Sequence, residues 1–184
     1  VYGILHSPQY RKTFRNDLGK MLPRLPLLDD VRDFWKFSKA GHQLADLHID
    51  YESVSPYPDI IVDGEESRFF TVEKMRFSKK DVIVKGKKVK VIDKSQIVYN
   101  SRITISDIPD KAYEYIVNGQ SAIEWIMERY QDKVDSASGI RNNPNDWAVE
   151  VGNPRYILDL LLSIINVSVQ TVDIINSLPD VKFE

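Results

Sequence analysis

Ten basic residues crowd the stretch from Lys74 to Arg102, against two acidic ones. On either side the balance is reversed, with 9 basic and 12 acidic residues from Val1 to Glu73 and 6 and 13 from Ile103 to Glu184, so the chain totals only −2. A cationic island in an acidic chain is the pattern that phosphate recognition leaves, because basic groups gain by releasing the counterions condensed on nucleic acid. Lys79, Lys80, Lys85, Lys87, Lys88 and Lys90 suit phosphates, since an ammonium group is a point charge without a planar fork. Arg76 and Arg102 carry the fork that reads guanine bidentately, and Gln96 or Asn100 the amide that reads adenine. Each has a plainer use: edge protection for the lysines, surface salt bridges and turn bonding for the other four.

Catalytic chemistry is harder to place. The eight glycines form neither GxGxxG nor GxxxxGK[ST], so dinucleotide folds and P-loops are not encoded. There is no Cys, which removes disulfides, thiolate zinc sites and thiol nucleophiles. His42 shares a helix face with Asp46, while His48 points elsewhere and His6 is remote in sequence, so no metal site is expected. Pro58-Asp59 offers the first half of a carboxylate nuclease site, but Glu73-Lys74 lacks the spacing of the second. Asn153-Pro154-Arg155-Tyr156 approximates the loop that grips a flipped adenine in amino-methyltransferases, yet it reads better as a helix start, and Glu65-Glu66 as solvated loop charge.

The elements that must position the island follow from periodicity. Ser7-Pro8 starts a helix expected to reach Lys20, with Ser at the cap and Pro at the first position. Met21 to Leu27, with Pro23 and Pro26, is an extended apolar connector. Asp29 and Asp30 cap a second helix to Ile49, with Val31, Phe34, Trp35, Leu44 and Leu47 expected in the core. Ser53 to Gly64 reads as a loop. Alternation then predicts short strands at Ser67–Phe77, Val82–Lys85, Lys88–Ile92, Gln96–Tyr99 and Arg102–Ile105. Gly86 supplies a hairpin turn, beyond which Lys88 and Lys90 form a ridge on the face opposite Val89 and Val91. A helical pattern from Asp110 to Val117 ends at Asn118-Gly119. Ser121 and Glu124 then form a capping box ahead of Trp125, Ile126 and Met127. Asp132 to Asn145 is polar and turn-forming; Arg141 to Asn145 within it is a lesser DNA candidate. A buried central helix from Arg155 to Leu178 follows.

The fold class expected is α+β, a helical scaffold with an inserted small antiparallel β module. Its parts are residues 1–52, 53–109 and 110–184, joined in one compact unit. At 184 residues and 42% hydrophobic content a sizeable core needs no staple. No run reaches the ~18 uninterrupted apolar residues of a membrane span and no signal-peptide order opens the chain, so a cytoplasmic setting without membrane contact is the default expectation. The start at Val1-Tyr2-Gly3, without Met, is expected of a piece of something longer.

Several phrases together resemble the C-terminal target-recognition (specificity) domain of the type ISP restriction-modification enzymes. They are Leu5-His6-Ser7-Pro8-Gln9-Tyr10-Arg11, Met21-Leu22-Pro23-Arg24-Leu25-Pro26, Ala45-Asp46-Leu47-His48 with Tyr51-Glu52, Lys74-Met75-Arg76-Phe77, and Tyr99-Asn100 with Ile103-Thr104. They continue through Ala112-Tyr113-Glu114-Tyr115, Ser121-Ala122-Ile123-Glu124-Trp125, Ser138-Gly139-Ile140, Asn145-Asp146-Trp147 and Asn153-Pro154-Arg155-Tyr156-Ile157. Their shared order covers nearly the whole chain. The resemblance implies a non-catalytic domain that reads double-stranded DNA and presents a target adenine to an adjoining adenine methyltransferase. It also implies methyltransferase and helicase domains in the same chain, with S-adenosylmethionine, ATP and Mg²⁺ used there and no cofactor here. The lysine run matches no motif of the family, so the base and phosphate assignments come from residue chemistry alone. The competing reading is a coupling domain that contacts protein and leaves bases unread.

Overall fold

The computed structural model describes residues 1–181. Helix accounts for 44% and strand for 19%, with a small antiparallel sheet, which makes the chain α+β. It divides into two compact units, one of Val1–Tyr51 with Val169–Glu184, the other Glu52–Ser168.

The first unit contains helices α1 Tyr2–His6, α2 Pro8–Thr13, α3 Arg15–Leu18 and α4 Val31–Ile49. The helix expected over Pro8–Lys20 is therefore two short pieces, because Phe14 leaves helical geometry at φ −101°, ψ 17°. Ser7 caps α2 as expected, its side chain accepting from the Tyr10 amide. α4 has the expected bounds, but its buried face is Phe37, Ala40, Gly41 and Leu44. Val31, Phe34 and Trp35 are exposed, contrary to expectation. The reason is a close approach of α1: a Cβ on Gly3 would lie 2.3 Å from the Phe37 carbonyl oxygen, and one on Gly41 2.8 Å from the Gly3 nitrogen. That contact fixes which stripe of α4 is covered. Ile4, Tyr10 and Phe37 form the cluster beside it, with Phe14, Leu18 and Leu28 packed around.

Against α1, His48 accepts at Nδ1 from the Tyr2 hydroxyl (2.8 Å) and Nε2 meets the Thr171 hydroxyl (2.8 Å), as a neutral ring allows. The His6 ring centroid lies 5.7 Å away. Burial first, then the neighbouring His6, pulls the His48 pKa down to about 4. An unfolded His titrates near 6.5. Between those values the unfolded chain binds a proton that the folded unit refuses, so stability is complete above pH ~6.5 and is lost as pH falls towards 4. Discounted for partial exposure, the loss is roughly 1 kcal/mol by about pH 5. Urea midpoints followed by far-UV circular dichroism should drop over this window in the wild type, and the drop should shrink in His48→Gln.

The second unit is built on a four-stranded antiparallel sheet of β1 Ile61–Asp63, β2 Arg76–Val84, β3 Lys87–Val98 and β4 Thr104–Ser106, in the order β1-β4-β3-β2. β1 lies in the segment expected to be a loop. The expected strands Lys88–Ile92 and Gln96–Tyr99 are one strand, and Val82–Lys85 is the end of β2. Residues 68–75 are not a strand. Their backbone groups bond to side chains instead: Asn145 takes both polar groups of Val72, Asn100 donates to Phe69 and Thr71, and the Tyr99 hydroxyl to Phe70. Alternation signalled extended chain, and satisfied amides removed the need for a strand partner.

Beyond the sheet come the hairpin β5 Ile116–Val117 and β6 Gln120–Ser121, α5 Ala122–Arg129, the hairpin β7 Lys133–Val134 and β8 Arg141–Asn142, and α6 Asn145–Glu150. α7 Tyr156–Asn176 contributes residues to both units. The helix expected over Asp110–Val117 is a 3-10 turn at Asp110–Tyr113 followed by β5, since Asn118 and Gly119 (φ 49° and 94°) make a hairpin turn and not a helix stop. The Ser121–Glu124 capping box is present in full. By length and hydropathy α7 is apolar enough to cross a membrane, despite its interspersed polar residues, yet 72% of its most apolar window is buried within the molecule, as in a core helix.

Candidate nucleic-acid interface

β4 pairs with β3 only at Ile97↔Ile105 and Val98↔Thr104. From Ser78↔Asp93 to Val84↔Lys87, β2 and β3 therefore pair only with each other, as a two-stranded ribbon of seven residue pairs about 20 Å long. Two features hold its base. Lys94, Ser95 and Gln96 have no partner on β2, because the register shifts between Phe77 and Ser78. Each is bonded elsewhere: Lys94 and Ser95 accept at their carbonyls from the Tyr113 hydroxyl and the Ile108 amide, and the Gln96 side chain bridges Ser78 and Ser106. Asp93, at the foot of the ribbon, accepts from the Ser95 amide and hydroxyl and from Lys80 (3.3 Å); those bonds, the Ser95 hydroxyl foremost, hold its carboxyl below the usual carboxylate range.

At the tip, Lys85 and Gly86 both take positive φ, 50° and 74°, as a two-residue hairpin turn of matching twist requires. Directly opposed residues share a face. One face thus holds the pairs Lys79·Ile92, Asp81·Lys90 and Ile83·Lys88. The other holds Lys80·Val91, Val82·Val89 and Val84·Lys87. The expected ridge of Lys88 and Lys90 is present and gains Lys79. Lys80 and Lys87 stand on the opposite face, and Lys85 is in the turn. All six lysines are exposed.

The remaining sequence-derived candidates are scattered. Arg76 is exposed at the start of β2, bordering a groove with Lys79, Ile92, Glu124 and Glu128. Gln96 is committed to its two serines. Asn100 is 8% exposed, and both ends of its amide are used: Nδ2 donates to Phe69 and Thr71 (2.8 and 2.9 Å), and Oδ1 accepts from the Arg102 and Ile103 amides (2.8 Å each). The structure thus gives Asn100 the turn-bonding role and leaves it no free edge for a base. Arg102 is exposed in that same turn, at the end of β3 away from Gly86. In the lesser candidate loop, Arg141 forks onto Asp132 and Asn145 is spent on Val72. Asn153 caps Arg155, whose guanidinium binds Glu65 and Asp159, so this segment is a helix start as expected.

Two features escaped sequence reasoning. Lys94, counted in the island, stands over the Phe77 and Tyr113 rings (5.5 and 5.2 Å) and bonds Glu124, a structural use. Asp81 is an acid on the lysine face, directly opposite Lys90. Among the described residues no group of three or more His, Asp or Glu is placed to hold a metal ion.

The model of the Type ISP C-terminal specificity domain matches residues 1–160. No curated protein matches the chain. Among solved structures, the Type ISP restriction-modification enzyme LlaGI, a nuclease-deletion mutant in complex with a DNA substrate mimic, is 44% identical over 97% of this chain, with a TM-score of 0.82. The ATP-dependent Type ISP restriction-modification enzyme LlaBIII, bound to DNA, is 42% identical over 100%, with a TM-score of 0.83. The chain spans only 15% and 11% of those two chains. DrdV, solved as a complex with DNA, shares the fold at 23% identity over 99% of this chain and 18% of its own, with a TM-score of 0.74.

Proposed function

Since the chain belongs to the Type ISP C-terminal specificity-domain family, we propose that it reads the sequence of double-stranded DNA for a longer restriction-modification enzyme and positions a target adenine for an adjoining adenine methyltransferase. The observation that carries this reading is the β2–β3 ribbon, which leaves the sheet bearing six lysines and two aspartates. A major groove about 12 Å wide admits a two-stranded ribbon, phosphates on either wall fix its register, and side chains on the inserted face meet base edges. The domain itself contributes recognition and not catalysis; S-adenosylmethionine, ATP and Mg²⁺ belong to other parts of the longer enzyme, in the cytoplasm where its DNA is met.

Fluorescence anisotropy of this chain with a random-sequence duplex at several salt concentrations tests the reading. The expected result is binding that weakens with a log-log slope of about −4 to −6, corresponding to roughly five or six phosphates. Absence of binding at low salt would remove the ribbon as a free-standing reader. A coupling domain that contacts protein is favoured by one observation, the exposure of Leu22 and Leu27 in the connector and Trp35 in α4. Under that reading the duplex titration stays flat.

A further inference from the structure

The lysine-bearing face of the ribbon holds one acid. Asp81 stands directly opposite Lys90, between the Lys79·Ile92 and Ile83·Lys88 pairs. It is exposed and makes no hydrogen bond or ion pair among the described residues, whereas the ribbon's other acid, Asp93, is tied down by Ser95 and Lys80. Facing Lys90 on an exposed face, it gains only the weak attraction of a solvated cross-strand charge pair, and phosphate binding does not account for it. An unpaired carboxylate amid lysines repels the phosphates they attract, so on a face that only gripped the backbone it would lower affinity.

Base reading supplies the missing use. An ionised carboxylate only accepts hydrogen bonds. In the major groove guanine and thymine present acceptors, thymine adding a methyl group, while cytosine presents the N4 amine and adenine the N6 amine beside the N7 acceptor. Adenine's donor–acceptor pair suits an amide; cytosine's lone donor suits a carboxylate. We propose that Asp81 is a specificity-determining residue that accepts a hydrogen bond from the N4 amine of a cytosine in the recognised site and rejects guanine and thymine by lone-pair repulsion. Ile83, one pair nearer the tip on the same face and 74% exposed, provides the adjoining apolar contact. This inference rests on the reading of the ribbon as the element that enters the groove.

Selection from a random duplex pool with the wild type, Asp81→Asn and Asp81→Ala, together with the affinity of each for unselected duplex, separates the possibilities. The wild type should enrich a site with a fixed cytosine. In Asp81→Asn that position should turn to adenine or become degenerate, and affinity for the wild-type site should fall about tenfold or more. At the same time affinity for random duplex should rise severalfold, since a negative charge has left the lysine face. Opposite signs on specific and non-specific binding are the signature. If both variants enrich the same sequences as the wild type and merely bind everything more tightly, Asp81 reads nothing and the inference is overturned. If the wild type binds duplex but enriches no sequence, the proposed function itself falls and this inference with it.

Discussion

Replacing Lys79, Lys88 and Lys90 together by alanine is expected to weaken binding to a random duplex on the order of 100-fold near physiological salt and to flatten the salt slope by about 2.7. The figure follows from three phosphate contacts, each worth about 0.9 in slope and so about fivefold in affinity at 0.15 M relative to 1 M salt. These lysines share one face, and none makes a hydrogen bond or ion pair among the described residues, so their charge is left largely available, with Asp81 opposite Lys90 the one acid on that face. The opposite face behaves differently. Lys80 is already paired with Asp93, and its companions there are Val82, Val84, Val89 and Val91. Replacing Lys80 and Lys87 is therefore expected to weaken binding at least tenfold less than the triple variant does. Both variants should unfold at close to the wild-type temperature, because exposed side chains away from any network shift stability by about 0.5 kcal/mol or less, and the exposed Lys80–Asp93 pair is worth about 1 kcal/mol at most. Anisotropy titrations at matched salt check the comparison. Equal losses from the two faces would mean that the lysines act as a diffuse cloud, and no loss from either would favour the coupling domain.

The face assignment is legible in the sequence, but only in part. A two-residue turn at Lys85-Gly86 fixes the pairing of every ribbon residue, because in a hairpin register follows from turn length. Lys88 and Lys90 could thus be placed on one face, and the same register implies Asp81 opposite Lys90. What alternation could not show was how far the ribbon stays paired: the irregular stretch Asp93-Lys94-Ser95-Gln96 reads as a break between strands. It is instead a bulge whose groups bond Tyr113, Ile108, Ser78 and Ser106, partners far along the chain or across the sheet. Caps were legible for the opposite reason. The Ser7 cap and the Ser121–Glu124 box are local hydrogen bonds closed within three residues. The buried stripe of α4 was misjudged at Val31, Phe34 and Trp35, since helical periodicity marks apolar positions and the Gly3–Gly41 approach decides which of them are covered. Asn100 was the least legible candidate of all, because an amide that reads a base and one that clamps a turn are the same residue in a sequence.

Asn100→Ala separates those two uses with the largest stability effect expected in the molecule. The side chain satisfies the Arg102 and Ile103 amides and two carbonyls, Phe69 and Thr71, and it is nearly buried. Truncation strands up to four backbone groups where water has little access, each costing about 1–3 kcal/mol, though relaxation and partial solvation recover some of it. A net loss of roughly 3–5 kcal/mol is expected, a large share of the ~5–15 kcal/mol that holds a domain together. Asn100→Asp keeps the acceptor for both amides but loses both donations and faces two carbonyl oxygens with a charge, so it should be destabilised as well. Urea unfolding of the second unit, followed by the protection of its sheet amides in hydrogen exchange, measures the loss. The extended segment 68–75 should lose protection first, since Asn100 holds two of its carbonyls. A variant of wild-type stability whose selected DNA site had become degenerate at an adenine would instead return Asn100 to the reading surface.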